Sequence, residues 1–216
     1  MTGPDNSGAE SDTGRTEAFS DGILAIVITL LVLDLRPPNS PAGHLLSGLL
    51  EQWPGYAAYV ASYAYVAVVW LNHKATFRRI RRADRGLNWL NLLVLFSTAL
   101  LPFPTTVLSS ALRRPDQADR RVAVATYALV GVVLSAAWLV LYHYLARHAD
   151  LLQDTAHDRF FRSERLRALV GVVLYALAGI VGFLVSPLVG LGIFVVLPVF
   201  YGLTSGGLYQ LRPFAR

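Results

Sequence analysis

Long apolar runs alternate with short, arginine-rich connections along almost the whole chain. Hydrocarbon about 30 Å thick needs roughly 20 apolar residues in a helix rising 1.5 Å per residue. Six runs meet that requirement, at residues 18–35, 54–72, 87–111, 122–146, 166–186 and 188–208. The pattern therefore predicts an all-α integral membrane protein with six transmembrane helices and no soluble domain. The first run is short and spans with little to spare. Pro37 and Pro38 end it, because consecutive prolines cannot continue a helix. Pro54 fits a first turn, with Trp53 suited to the membrane interface beside it. Pro102 and Pro104 predict kinks in the third run, and Ser186–Pro187 divides the fifth from the sixth. Glycines at 171, 179, 182, 190 and 192 predict close packing of the last two helices.

Composition agrees with that reading. The 216 residues are 54% hydrophobic and 15% charged, too little charge to cover a soluble domain of this size. A formal net charge of +5 could suggest nucleic acid, but the arginines sit in the connections and form no basic stripe with base-stacking aromatics. Positive charge in such loops sets topology instead. Fourteen Lys and Arg fall on the side that holds both termini and the 2–3 and 4–5 connections, against five on the other side. Both termini are therefore expected in the cytoplasm, in a multi-pass protein of the cell membrane. Residues 1–14, rich in Gly, Ser, Thr and Asp, read as a disordered cytoplasmic tail ahead of a six-span unit at 15–216. Acidic residues outnumber Arg15 in the first seventeen positions, which is the wrong sign for a signal peptide.

Enzyme classes find no support. Cysteine is absent, which removes thiolate metal sites and cysteine nucleophiles. No HExxH, GxSxG, P-loop or GxGxxG motif occurs. Among the five histidines, His143 and His148 are five apart, poor geometry for chelation on a helix, and no cofactor or bound metal is expected.

Polar residues inside a membrane are costly and mark functional candidates. They gather at the cytoplasmic ends of the first three runs: Arg15, Phe19, Ser20 and Asp21, then Trp70, Asn72, His73 and Lys74, then Asn88 and Asn91. At 100° per residue, Gly22, Ile26, Thr29, Leu30 and Leu33 share one face of the first helix, and Asp21 lies opposite. Asp21 is expected to accept hydrogen bonds from His73, Asn72 or Arg15, offsetting the cost of an unpaired buried charge. The apolar face alone fits lipid contact or helix packing as well as a pore lining. Thr29 could simply bond back to its own helix, and Trp70 could be an interface anchor.

The run Arg15-xxx-Phe19-Ser20-Asp21, followed by Ala25-Ile26-xx-Thr29-Leu30-Leu31, resembles the transmembrane protein 175 family of potassium channels, in its bacterial six-span form. Trp70-Leu71-Asn72-His73 with Phe77 is similar to the family's second-helix signature, and Asn91 with Leu101-Pro102-Phe103 to its third-helix pattern. The resemblance implies a leak-type cation channel with permeant K+ and four first helices around the pore of a homotetramer. It also implies constricting rings at Ile26, Leu30 and Leu33, with Thr29 supplying a hydroxyl. Arg15, Phe19, Ser20, Asp21, Trp70, Asn72 and His73 would form a polar network that sets the first helix. A proton leak or proton-coupled transporter that uses Asp21 and His73 as a relay is the competing reading, and a membrane enzyme or assembly factor without transport is a third.

Overall fold

The computed structural model describes residues 7–153 and 158–204, and all of its regular elements are helical. Helix α1 (Ser7–Leu31) runs on into a 3₁₀ turn at Val32–Asp34, ahead of the two prolines. It starts well before residue 18, so residues 7–14 of the expected tail are helical rather than disordered. Residues 1–6 of the tail lie outside the described residues.

A short helix, α2 (Leu45–Glu51), follows in the first connection with no buried residue, and the periodicity gave no hint of it. Helix α3 (Trp53–Phe77) has Pro54 in its first turn, as expected. The third run is two helices, α4 (Arg85–Ala99) and α5 (Pro102–Leu112). Neither Pro102 nor Pro104 has an N–H to give the carbonyls of Thr98 and Leu100. The N–H groups of Leu101 (3.0 Å) and Phe103 (3.1 Å) serve those carbonyls instead, which tightens the chain into a break. Helix α6 (Gln117–Leu145) is capped by the Asp116 carboxylate, which accepts from the Asp119 N–H at 2.9 Å. Helices α7 (Asp158–Leu184) and α8 (Pro187–Thr204) meet at the tight turn expected around Ser186.

Four stretches among the described residues are long and apolar enough to cross a membrane by length and composition: Arg85–Leu112, Gln117–Leu145, Phe160–Leu184 and Pro187–Thr204. Helices α1 and α3 have the length but not the hydropathy. The first carries Glu17 and Asp21, and the second spends positions on Tyr56, Tyr59, Tyr63, Tyr65, Asn72 and His73.

Two packing regimes divide the molecule. The α6–α8 unit is fitted around rings: Tyr127, Tyr175 and Phe194 form a buried stack, and Tyr175 lies directly over Gly131. Gly182 and Gly190 face each other so closely that a Cβ on Gly190 would sit 3.0 Å from the Gly182 Cα. The α1–α3–α4 unit is joined by polar groups and leaves one side of α1 bare. Between them, a buried hydroxyl cluster joins three helices: Ser62 Oγ lies 2.7 Å from Thr105 Oγ1 and 2.8 Å from the Tyr127 hydroxyl.

The two arginine-rich connections are fastened to each other. Ile80 and Leu152 form an antiparallel bridge, with the Arg81 N–H on the Leu151 carbonyl at 2.8 Å and the Gln153 N–H on the Arg79 carbonyl at 2.9 Å. Arg82 pairs with Asp150 at 2.5 Å, and the Tyr144 hydroxyl donates to Asp84 at 2.6 Å. The second connection thus contains a 3₁₀ turn (Ala149–Leu151) and a paired strand-like segment ahead of α7.

Candidate functional site

Helix α1 presents two faces of different character. Ser20, Leu24, Val27 and Leu31 are buried against the rest of the chain. On the other side Phe19, Gly22, Ile26, Thr29, Leu30 and Leu33 are all exposed, Ile26 by 58% and Leu33 by 67%. The face that the 100° spacing singles out is the face this subunit leaves uncovered. A Cβ built on Gly22 would meet nothing within 4 Å. The Thr29 hydroxyl donates to its own helix, at the Ile26 carbonyl (2.8 Å), so its lone pairs remain for whatever lies outside.

The buried side of α1 is held by a chain of hydrogen bonds through three helices. Ser20 Oγ donates to the Thr16 carbonyl at 2.8 Å and accepts from Asn91 Nδ2 at 2.9 Å. Asn91 Oδ1 in turn lies 2.9 Å from His73 Nε2. An amide oxygen only accepts, so in this orientation of Asn91 the His73 proton sits on Nε2. The ring of His73 is fully buried, with its face on Phe77 at 4.2 Å between centroids. Ser20, Asn91 and His73 therefore tie α1 to α4 and α3 where water is excluded.

Asp21 takes a different partner from those expected. Its Oδ1 accepts from Trp70 Nε1 at 3.0 Å, on the exposed flank of α1. Neighbouring side chains on a helix point about 100° apart, so Ser20 and Asp21 cannot both turn inward. Ser20 takes the buried position and Asp21 stays at the edge, where water can share its charge. The Lys74 ammonium lies over the Trp70 ring, 5.1 Å from its centroid, and adds a nearby positive charge. Trp70 is thus more than an anchor in the interface: its indole N–H locks the flank of α1.

Two further residues of the expected network stand apart from it. Asn72 lines a small internal cavity of about 30 Å³, shared with Trp138, Ser135 and Glu164. Arg15 lies at an open groove of about 350 Å³ with Phe19, Asn88 and Leu92. Asn91, grouped by the sequence with the polar residues at the cytoplasmic ends but left out of the expected network, is the residue that joins Ser20 to His73. Its signal was a buried amide at the level where α1 and α3 carry their own polar groups. No group of three metal-ligating side chains occurs among the described residues.

Comparison with known proteins gives a consistent result. The family model described as the endosomal/lysosomal potassium channel TMEM175 matches residues 15–102. A potassium channel of Streptomyces collinus is 40% identical over 193 residues, 89% of this chain and 92% of the relative. A potassium channel of Chamaesiphon minutus is 34% identical, over 91% of this chain and 96% of the relative. The crystal structure of a lysosomal potassium-selective channel TMEM175 homolog from Chamaesiphon minutus superposes with a TM-score of 0.77 at 33% identity, covering 91% of this chain and 99% of that one. The human endosomal/lysosomal proton channel TMEM175 is 32% identical over 180 residues, which are 78% of this chain but only 35% of the human protein. The family match and the likeness to the two bacterial channels and the solved homolog, over about nine-tenths of this chain, lead to one conclusion: this chain is a bacterial-type member of the TMEM175 family.

Proposed function

We propose that the protein is a potassium channel whose conduction path is lined by α1. It crosses the membrane six times per subunit, through α1, α3, α4–α5, α6, α7 and α8. Both termini lie in the cytoplasm, on the side of the arginine-rich connections, and the channel sits in the cell membrane. One α1 cannot enclose a path, so the path requires several copies, and four in a homotetramer give each lining residue a fourfold ring. Ile26, Leu30 and Leu33 form the apolar constriction and Thr29 presents oxygen lone pairs between them. K+ is substrate in transit, and no cofactor takes part.

The observation that carries this reading is the contrast between the two sides of α1. Its inner side is bolted by Ser20, Asn91 and His73, whereas its outer side offers Ile26, Leu30 and Leu33 to nothing in the subunit. An apolar ring can close by dewetting and conducts when it widens or rotates. Trp70, holding Asp21 on the flank of α1 one turn or more before Ile26, is placed to control that tilt.

Potassium flux into liposomes containing the purified protein is the test. Ile26→Ala and Leu30→Ala should raise leak or relax K+ over Na+ preference by several fold, with folding unchanged because both side chains are exposed in the subunit. Unchanged flux and selectivity in both variants would reject the lining assignment. The name of the human relative favours one second reading, a proton path through Asp21 and His73. In this chain the two do not bond to each other, since Asp21 bonds Trp70 and His73 bonds Asn91. Reversal potentials in a pH gradient at fixed K+ separate that reading from the first, and flux of neither ion would leave a membrane protein without transport.

A further inference from the structure

We propose that the groove between the C-terminal end of α6 and the N-terminal end of α7 seats one anionic phospholipid of the cytoplasmic leaflet. The groove has a volume of about 730 Å³ and combines two chemistries. Arg162, Ser163 and Arg165 stand at its polar end, and Leu139, Leu166 and Leu169 line its apolar part. The order along α7 matters. Residues 162, 165, 166 and 169 follow helical spacing on a single stripe, and Val173 and Leu177 continue it. The stripe therefore passes from guanidinium to aliphatic surface in the direction that α7 enters the membrane. Leu166 is 62% exposed and Leu169 48%, so the apolar part is uncovered in the subunit.

Charge selects the occupant. Nearby carboxylates are already engaged: Glu164 with Arg167, and Asp150 with Arg82. Among the described residues no carboxylate pairs with Arg162 or Arg165, and Arg147 adds its field to that of Arg165 around His143. Among the described residues this guanidinium pair therefore lacks a carboxylate, and an anion from outside the subunit supplies the negative charge. A guanidinium pair suits a phosphodiester, which it can bind through two parallel N–H bonds. A soluble anion would leave Leu166 and Leu169 uncovered, whereas a phospholipid answers both ends at once. Basic pockets at the cytoplasmic ends of membrane helices are suited to such headgroups.

This inference rests on the membrane orientation proposed above. The test is binding of phosphatidylglycerol against phosphatidylcholine to the full chain in detergent, read by native mass spectrometry. An arginine near an anionic surface contributes about fivefold in binding, so the pair predicts a phosphatidylglycerol preference of roughly 25-fold. R162Q/R165Q should abolish that preference, while R113Q/R114Q, at the opposite end of the bundle, should retain it. Leu169→Ser should weaken retention of both lipids. No preference in the wild type, or full preference in R162Q/R165Q, overturns the seat. Displacement of the lipid by glycerol phosphate at equal concentration overturns it too, because the site would then recognise a free phosphate. Protease accessibility of an N-terminal tag reads orientation separately, and potassium flux reads channel function, so failure of either is distinguishable from failure of the seat.

Discussion

Glycine serves opposite ends in the first helix and the last two. A Cβ on Gly22 of α1 would meet nothing within 4 Å, whereas one on Gly182 of α7 would fall 2.3 Å from Val124 Cγ1 and 3.2 Å from the Gly190 Cα. The α6–α8 unit uses its small residues for close approach between its own helices, and it too turns apolar side chains such as Leu166, Leu169 and Val196 outward. The α1–α3–α4 unit is incomplete, with its polar groups turned inward and its small and aliphatic residues turned out. That difference separates scaffold from the working surface we propose: backbone contact fixes the first, whereas the second leaves Gly22, Ile26 and Leu30 open to another copy, an ion or both.

The largest effect should come from filling the scaffold. Gly182→Leu has no room, because Val124 is short and stiff and Gly190 offers backbone rather than a movable side chain. Overpacking of this kind costs at least about 3 kcal/mol, at or above the usual range. Thermal unfolding of the solubilised protein should show a large drop or no folded protein. A retained melting temperature would break the comparison at once.

Next in size is the buried bond chain. Asn91→Leu removes the acceptor for the His73 Nε2 proton in a site closed to water, which costs about 1–3 kcal/mol. Trp70→Phe removes the exposed bond to Asp21 and shrinks the ring beneath Lys74, and should cost about 1 kcal/mol. Melting temperatures of the two variants, measured side by side, test whether the anchor of α1 lies inside or at its flank. Equal losses would move it to the flank.

The two regions were not equally legible in the sequence. Both the long apolar runs and the bare face of α1 were readable, because 3.6-residue periodicity is a local property. Close packing was also legible at Gly171, Gly179, Gly182 and Gly190, but not at Gly192, where an added Cβ would meet nothing within 4 Å. Pairing between helices was not readable, since it depends on rotation and depth that no single helix encodes. The periodicity placed Asp21 away from the open face, but the partners expected for it, His73, Asn72 or Arg15, did not include Trp70, which meets it. Asn91 joined the anchor only once α4 was set against α1 and α3. Break points also needed the backbone: two prolines announced a kink near residue 102, but only the loss of donors to Thr98 and Leu100 shows that one span is two helices. The helical start of α1 at Ser7 was hidden by residues whose composition suits a loop equally well.

A smaller effect lies at the latch between the two regions. Burial by itself would raise the Asp84 carboxyl, but the Tyr144 hydroxyl at 2.6 Å and the Leu87 N–H at 2.7 Å outweigh it and hold the group below the usual carboxylate range. A depressed value in the folded state means that the stabilisation is present above the unfolded value, about 4, and is lost as pH falls through the folded one. The wild type should therefore lose melting temperature on the acid side of about pH 4. Asp84→Asn should flatten that acid limb and lower the melting temperature slightly at neutral pH. An identical acid limb in both proteins would show that the ionised carboxylate contributes nothing to the latch.

The smallest expected change is the most discriminating for the working surface. Glycine inside a helix is less favourable than alanine by roughly 0.5–1 kcal/mol, because the unfolded chain has more freedom to lose. Gly22→Ala adds a methyl where the subunit has empty space, so the melting temperature should rise slightly. Gly182→Ala should lower it, since the same methyl there meets Val124. If Gly22 lines a path, the added methyl group from each copy narrows it without touching a neighbour, and potassium flux should change by no more than a few fold. A loss of stability at Gly22 would mean that a neighbouring copy packs directly on it, because nothing within the subunit stands in the way. The open face would then be a helix–helix contact at that depth, and the path would begin only further along α1, at Ile26.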